Sequence, residues 1–237
     1  MARTIKPQEY AEKRSEILNV VQRMVYSKGF AQMTIQDVLD ELKISKGAFY
    51  HYFDSKQALL EGLTERMIDA AEQIIIPIVN DPTLSALLKF RQFFDSMSSW
   101  KLNQKGLVIG ILRAWFADDN ALVRQRVNAL IDQRIAPLFS QIVRQGIAEG
   151  SFATAYPDQV GSVILSLLVG LQNAIGALLF EDGTHLTPQQ KSAQIVACYA
   201  VYLDALERTL GAQHGTLFRM DAAVVEVWLD ALQTYPT

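Results

Sequence analysis

Two helix-start signals stand close together in this chain, at Thr34 and at Ser45, and they restrict what the segment between them can become. Thr34 precedes Ile35, Val38, Leu39 and Leu42, an apolar set spaced i, i+3, i+4, i+7. Asp37 lies three residues after Thr34, a capping box with Asp in the place of the usual Glu. Lys43-Ile44-Ser45 then interrupts the pattern, and Ser45 is a good N-cap for a second helix from Lys46 to about Tyr52. Two short helices joined by a tight three-residue break, the second opened by its own cap, describe a helix-turn-helix.

The rest of the chain also reads at the helical spacing. Ile17, Val21, Met24 and Val25 form one apolar face, ended by Lys28-Gly29. Asp54 or Ser55 caps a longer helix through Leu59, Leu63, Met67 and Ile74, which Pro77 stops or kinks. After Asn80-Asp81-Pro82, helices are predicted at about 83–100, 104–117, 119–149, 157–180, 188–210 and 222–232. No strand or internal repeat appears, so the predicted fold is all-α. Of the 237 residues half are hydrophobic and a fifth charged, as in a well-packed soluble protein. A single cysteine, Cys198, excludes an intramolecular disulfide framework and fits a reducing compartment. The opening MARTIKPQEY lacks the apolar run of a secretory signal, which points to the cytoplasm. Residues 160–180 carry no charge and approach the length of a membrane span. Gln172 and Asn173 interrupt them, however, and the near flanks are acidic (Asp158, Glu181, Asp182), so a buried soluble helix is expected and no membrane.

Net charge is −3, but it is unevenly spread. Residues 1–56 hold nine Lys/Arg against seven Asp/Glu, the remainder thirteen against eighteen. A mildly positive front supports DNA binding only because a helix-turn-helix sits there. Lys46, Gly47 and Ala48 occupy the first turn of the second helix, the end that enters the major groove. Lys46 can reach a guanine edge or a phosphate, Gly47 allows close approach, and Ala48 can touch a thymine methyl. Phe49 and Phe53, spaced i, i+4, should pack inward, which sends Tyr50, His51 and Tyr52 to the outer faces, within reach of phosphates. Lys56, at the next helix start, adds a further cation.

Thr34-Ile-Gln-Asp-Val-Leu, followed by Ile44-Ser-Lys-Gly-Ala-Phe-Tyr-His-Tyr-Phe-Asp-Ser-Lys-Gln-Ala-Leu-Leu60, resembles the signature of the tetracycline-repressor (TetR) family over about residues 12–63. The resemblance implies phosphate contacts from Thr34, Tyr50, Tyr52 and Lys56. It implies groove contacts from Gln36, Ser45, Lys46, Gly47 and Ala48, with His51 on either side of that division. Arg3 and Lys6 form a short basic arm for the backbone or minor groove. One departure is Lys43, where a glycine is usual in the turn. The expected division is a DNA-binding domain over 1–56 and a larger helical domain over 57–237, which the resemblance implies dimerises and binds a small effector.

Within 57–237, Phe90, Phe93, Phe94, Met97 and Trp100, with Trp115 and Phe116, are rich enough to line a pocket for an apolar or aromatic effector. Plain core is the competing reading for each of them. Ser166, Gly170, Ala174 and Ala177 form a small-residue stripe that lets another helix approach, either within the chain or, preferably, as a dimer seam with 188–210 of a second subunit. His185 and His214 lack partners at metal spacing, and no catalytic or phosphate-cradling motif occurs, so no metal, cofactor or enzymatic activity is assigned. The expectation is a homodimeric, effector-responsive repressor of a pseudo-palindromic DNA operator. A constitutive architectural DNA binder is the alternative, and a helical enzyme or ligand carrier a more distant one.

Overall fold

A computed structural model of the protein describes residues 7–180 and 186–235. Arg3, Lys6 and His185 lie outside the described residues. Those described form ten α-helices and no strand: α1 (Pro7–Gln32), α2 (Ile35–Leu42), α3 (Lys46–Tyr50), α4 (Lys56–Asn80), α5 (Ala86–Asn103), α6 (Lys105–Phe116), α7 (Ala121–Ala148), α8 (Val160–Phe180), α9 (Pro188–Leu210) and α10 (Ala222–Thr234), with a 3-10 turn at Asp118–Asn120. The all-α expectation holds.

The local signals act as their chemistry requires. Gly29 takes φ 79°, ψ 156°, a conformation open to glycine, and breaks the helical path of α1 near its end. Thr34 Oγ1 accepts the Asp37 N–H while the Asp37 carboxylate accepts the Thr34 N–H, a complete capping box for α2. Ser45 Oγ accepts the Ala48 N–H and caps α3, and Ser55, rather than Asp54, accepts the Ala58 N–H at the start of α4. Pro77 does not stop α4, which continues to Asn80. The buried Lys89 ammonium donates to the Val79 carbonyl at 2.6 Å, satisfying one of the carbonyls left free where α4 ends.

The residues fall into two compact units. The first takes 7–67, 106–127 and 233–235; the second takes 68–105 and 128–232, of which 128–180 and 186–232 are described. The boundaries thus lie inside α4, α6, α7 and α10, and the first unit gains all of α6 but Lys105, which no sequence signal marks. Close approach explains that gain. A Cβ on Gly110 would stand 2.6 Å from Val25 Cγ1, so only a glycine lets α6 lie this near α1. The core of the first unit is Ile17, Leu18, Val21, Met33, Val38, Phe49, Phe53, Leu59 and Leu63, all buried.

In the second unit Phe90, Phe139, Phe152 and Leu206 centre the core. Glu207 is buried but accepts the Gly215 and Leu217 N–H groups at 2.8 and 3.1 Å, which fixes the loop after α9 and accounts for a carboxylate in the interior. Helix α8, with a mean hydropathy of 2.1, is long and apolar enough to cross a membrane. Here it packs on α9: a Cβ on Gly170 would stand 2.9 Å from Tyr202 Cε1. Gly170 is therefore used for close packing inside the chain.

Lys43, the departure from the usual glycine, adopts φ 52°, ψ 41°, the left-handed conformation that a glycine would take there. The Lys43 N–H and the Ile44 N–H (3.2 Å) both donate to Leu39 O, so the turn closes normally with a lysine held in an unfavourable region. A side chain in that region costs about 1–2 kcal/mol, partly offset because glycine loses about 0.5–1 kcal/mol more entropy on folding. Lys43→Gly should raise stability in urea by up to about 1 kcal/mol. A loss of stability instead would show that the Lys43 side chain itself holds the turn.

Candidate nucleic-acid interface

The surface is organised by one buried ring. Phe49 is wholly buried, and Phe53 packs near it with ring centroids 6.1 Å apart. With Phe49 turned inward, Ser45, Lys46, Gly47, Ala48, Tyr50 and His51 are all exposed. These are the residues expected to meet DNA, and the fold places them on one short helix and its two ends. The Lys46 ammonium lies 5.9 Å from the centre of the Tyr50 ring, a cation–π contact between i and i+4. At Gly47 an added Cβ would meet nothing within 4 Å, and its backbone is not left-handed. The protein therefore has no packing or conformational need for glycine at that point.

The flanking residues are more committed. Thr34 Oγ1 donates to Asp37 Oδ2 at 2.8 Å as well as accepting from the Asp37 N–H, so a phosphate would compete for its proton. Asp37 also meets the Lys28 ammonium at 2.7 Å. That bond, followed by those from the Thr34 backbone and side chain, holds its carboxyl down from 3.8 to about 2. The Gln36 amide donates to Asp40 Oδ1 at 2.7 Å on the exposed face of α2. The Lys56 ammonium donates to Ala31 O at 2.9 Å and lies 4.9 Å from the centre of the Phe30 ring. Burial pushes its pKa down, against the pull of Asp37. As it stands Lys56 ties the start of α4 to the end of α1, and a phosphate contact requires it to leave the Ala31 carbonyl.

His51 and the half-buried Tyr52 meet edge to face and both touch Tyr10 of α1. Tyr10 and Lys28 are participants that reading the sequence missed. The available signal for Tyr10 was a lone aromatic in an otherwise polar turn, PQEYAEK. Lys28 looked like a helix end and nothing more.

The family model described as "Bacterial regulatory proteins, tetR family" matches residues 17–63. An uncharacterised HTH-type transcriptional regulator in the lacX 3' region of Lactococcus lactis subsp. lactis is 43% identical over 82 residues, which is 35% of this chain and 42% of that protein. Residues 17–63 are thus similar to the N-terminal region of tetR-family regulators. The chain spans less than half the length of that relative. The HTH-type transcriptional repressor DhaR of a Mycobacterium sp. (strain GP1) is 22% identical over 151 residues, 64% of this chain and 72% of that one. A TetR-family transcriptional regulator from Pectobacterium atrosepticum shares the fold, with a TM-score of 0.62 at 17% identity over 87% of this chain and 98% of that one.

The other expected sites are distributed differently from the interface. Phe90, Phe93, Phe94, Met97 and Trp100 lie in the second unit and Trp115 and Phe116 in the first. Phe90 is fully buried and stacks on Phe139 at 5.6 Å, while Phe93 meets Phe139 edge to face at 5.1 Å. Phe94 and Met97 are partly buried against the same core. Of the small-residue stripe, Ser166 is exposed and Ala174 and Ala177 are half-buried, whereas Gly170 faces Tyr202 of its own chain.

The Asp37 carboxyl gives a pH prediction for this site. A carboxyl lowered on folding contributes stability that is present above its ordinary 3.8 and is lost as the pH falls through about 2. Acid titration followed by circular dichroism should therefore show Asp37→Asn less stable than the wild type at neutral pH, with the gap closing between these values. A constant gap across the acid range would show that the ion pair with Lys28 does not stabilise the fold.

Proposed function

We propose that the protein is a transcriptional regulator that binds double-stranded DNA as a homodimer and represses until a small apolar or aromatic effector releases it. It acts in the cytoplasm and has no enzymatic role. The observation that carries the DNA reading is the bare first turn of α3. Lys46, Gly47 and Ala48 stand exposed, and the space over Gly47 is empty for 4 Å around a would-be Cβ. A glycine that the fold does not need is explained by a base edge or sugar-phosphate that must come close. Lys46 and Ala48 then read bases, Gln36 and Ser45 support them from the groove side, and Thr34, Tyr50, Tyr52 and Lys56 meet the backbone, with His51 beside them. Arg3 and Lys6 add a basic arm. Repression as the sign of regulation is supported by the similarity to a named repressor.

The dimer is supported by what α8 and α9 leave uncovered. Only 22% of the most apolar window of α8 is buried within the chain, and Val163 on α8 and Val201 on α9 are 44% and 67% exposed. Ser166 belongs to the same uncovered stretch of α8, and Ala193, Ala197 and Ala200 are exposed on α9. A second copy applying the same two helices would cover this apolar area by symmetry.

A specific observation favours the second reading, a constitutive DNA binder. Phe90 and Phe93, expected to line an effector pocket, are packed into the aromatic core around Phe139 and Phe152. An effector must then open space among these rings, and only a ligand with different affinities for two states can do so. Thermal melting against a panel of aromatic and aliphatic small molecules separates the two readings, since an effector at a hundredfold excess over its dissociation constant stabilises by about 2.7 kcal/mol.

Gly47→Ala tests the DNA assignment itself. Alanine is about 1 kcal/mol better than glycine inside a helix, so the variant should fold at least as stably as the wild type. It should nevertheless bind DNA at least tenfold more weakly in a fluorescence anisotropy titration. Undiminished binding would remove α3 from the groove.

A further inference from the structure

Tyr10 stands on the first turn of α1, far from α3 in sequence, yet it is half-buried against the end of that helix. Its ring lies 4.9 Å from that of Tyr52 at a tilt of 33°, and 5.7 Å from that of His51, nearly perpendicular at 83°. His51 and Tyr52 are themselves 5.2 Å apart at 80°. His51 and Tyr52 form the turn that follows α3, so their two rings belong to the chain just as it leaves the helix. Tyr10 reaches both from another helix, and the two pairs that include His51 have the edge-to-face geometry that the charge distribution of aromatic rings favours.

His51 is exposed, and it follows the last residue of a helix only five residues long. Left alone, its ring would exchange among rotamers. We propose that Tyr10 is a positioning residue for DNA binding, holding the His51 imidazole and the Tyr52 phenol in the orientations in which they meet the phosphate backbone. The inference rests on the reading of α3 as the helix that enters the groove. Its physical content is preorganisation: two side chains fixed before binding need not be immobilised at the moment of binding. The order of α1 is thereby transmitted to the DNA surface without Tyr10 touching DNA.

The test uses the full-length protein and a fluorescently labelled random-sequence duplex at low salt, because phosphate contacts dominate such binding and no operator is needed. Tyr10→Ala should weaken binding roughly tenfold, the cost of immobilising two freed side chains, and Tyr10→Phe should restore it by keeping the ring. In a His51→Ala/Tyr52→Ala background the Tyr10→Ala substitution should have no further effect, an interdependence that general destabilisation does not produce. If Tyr10→Ala does not fold, Tyr10→Leu, which keeps apolar bulk but removes the aromatic ring, takes its place in the same cycle. Wild-type binding with an unchanged Tyr10 variant, or an equal loss in both backgrounds, overturns the positioning role. Failure of the wild type to bind the duplex at all overturns the DNA reading on which it rests.

Discussion

Burial of the Phe49 ring is the interaction on which the first unit depends. A helix of five residues has no stability of its own, since nucleating a first turn fixes several residues for one hydrogen bond. What holds α3 is a wholly buried phenylalanine, worth about 1.5–3 kcal/mol of apolar burial, together with the Ser45 cap and the bonds that run from Phe49 N–H to Ser45 O and from Tyr52 and Phe53 N–H to Phe49 O. Once that ring is fixed, the remaining directions follow from helix geometry. Lys46 to Ala48 can only face outward, and Tyr50 and His51 flank them.

Around that anchor the protein uses glycines for close contact at some points and leaves open space at another. Gly62 and Gly110 are tight glycines: an added Cβ would crowd Leu18 and Phe53 in one case and Val25 in the other. Gly47 is the reverse, a glycine surrounded by nothing. The same contrast marks the second unit, where the aromatic core is closed around Phe139 while the outer sides of α8 and α9 carry exposed valines and alanines. In the proposed dimer those sides cover each other.

Much of this was legible in the sequence because it depends on local chemistry. The capping box of Thr34 and Asp37, the Ser45 cap, the inward pair Phe49 and Phe53, and the helix limits near Pro188 and Leu210 are all set by neighbours within a turn. Long-range pairings were not legible. Nothing in the spacing showed that Tyr10 would meet His51, that Lys28 would pair with Asp37, or that Lys56 would turn back to Ala31. Nor could the pattern tell an aromatic lining from an aromatic core, because burial rewards both equally; Phe90 and Phe93 are core here. The part of α6 in the first unit escaped for the same reason, since its glycines declare their purpose only beside Val25 and Tyr26.

In the proposed dimer two copies of α3 read two like half-sites in successive major grooves. Selection of bound duplexes from a random pool by the wild-type protein measures this most directly. An inverted repeat should be enriched, its half-sites centred one helical turn, about 10–10.5 base pairs, or a multiple of it apart. Enrichment of an unsymmetrical single site, or of no sequence at all, would contradict it.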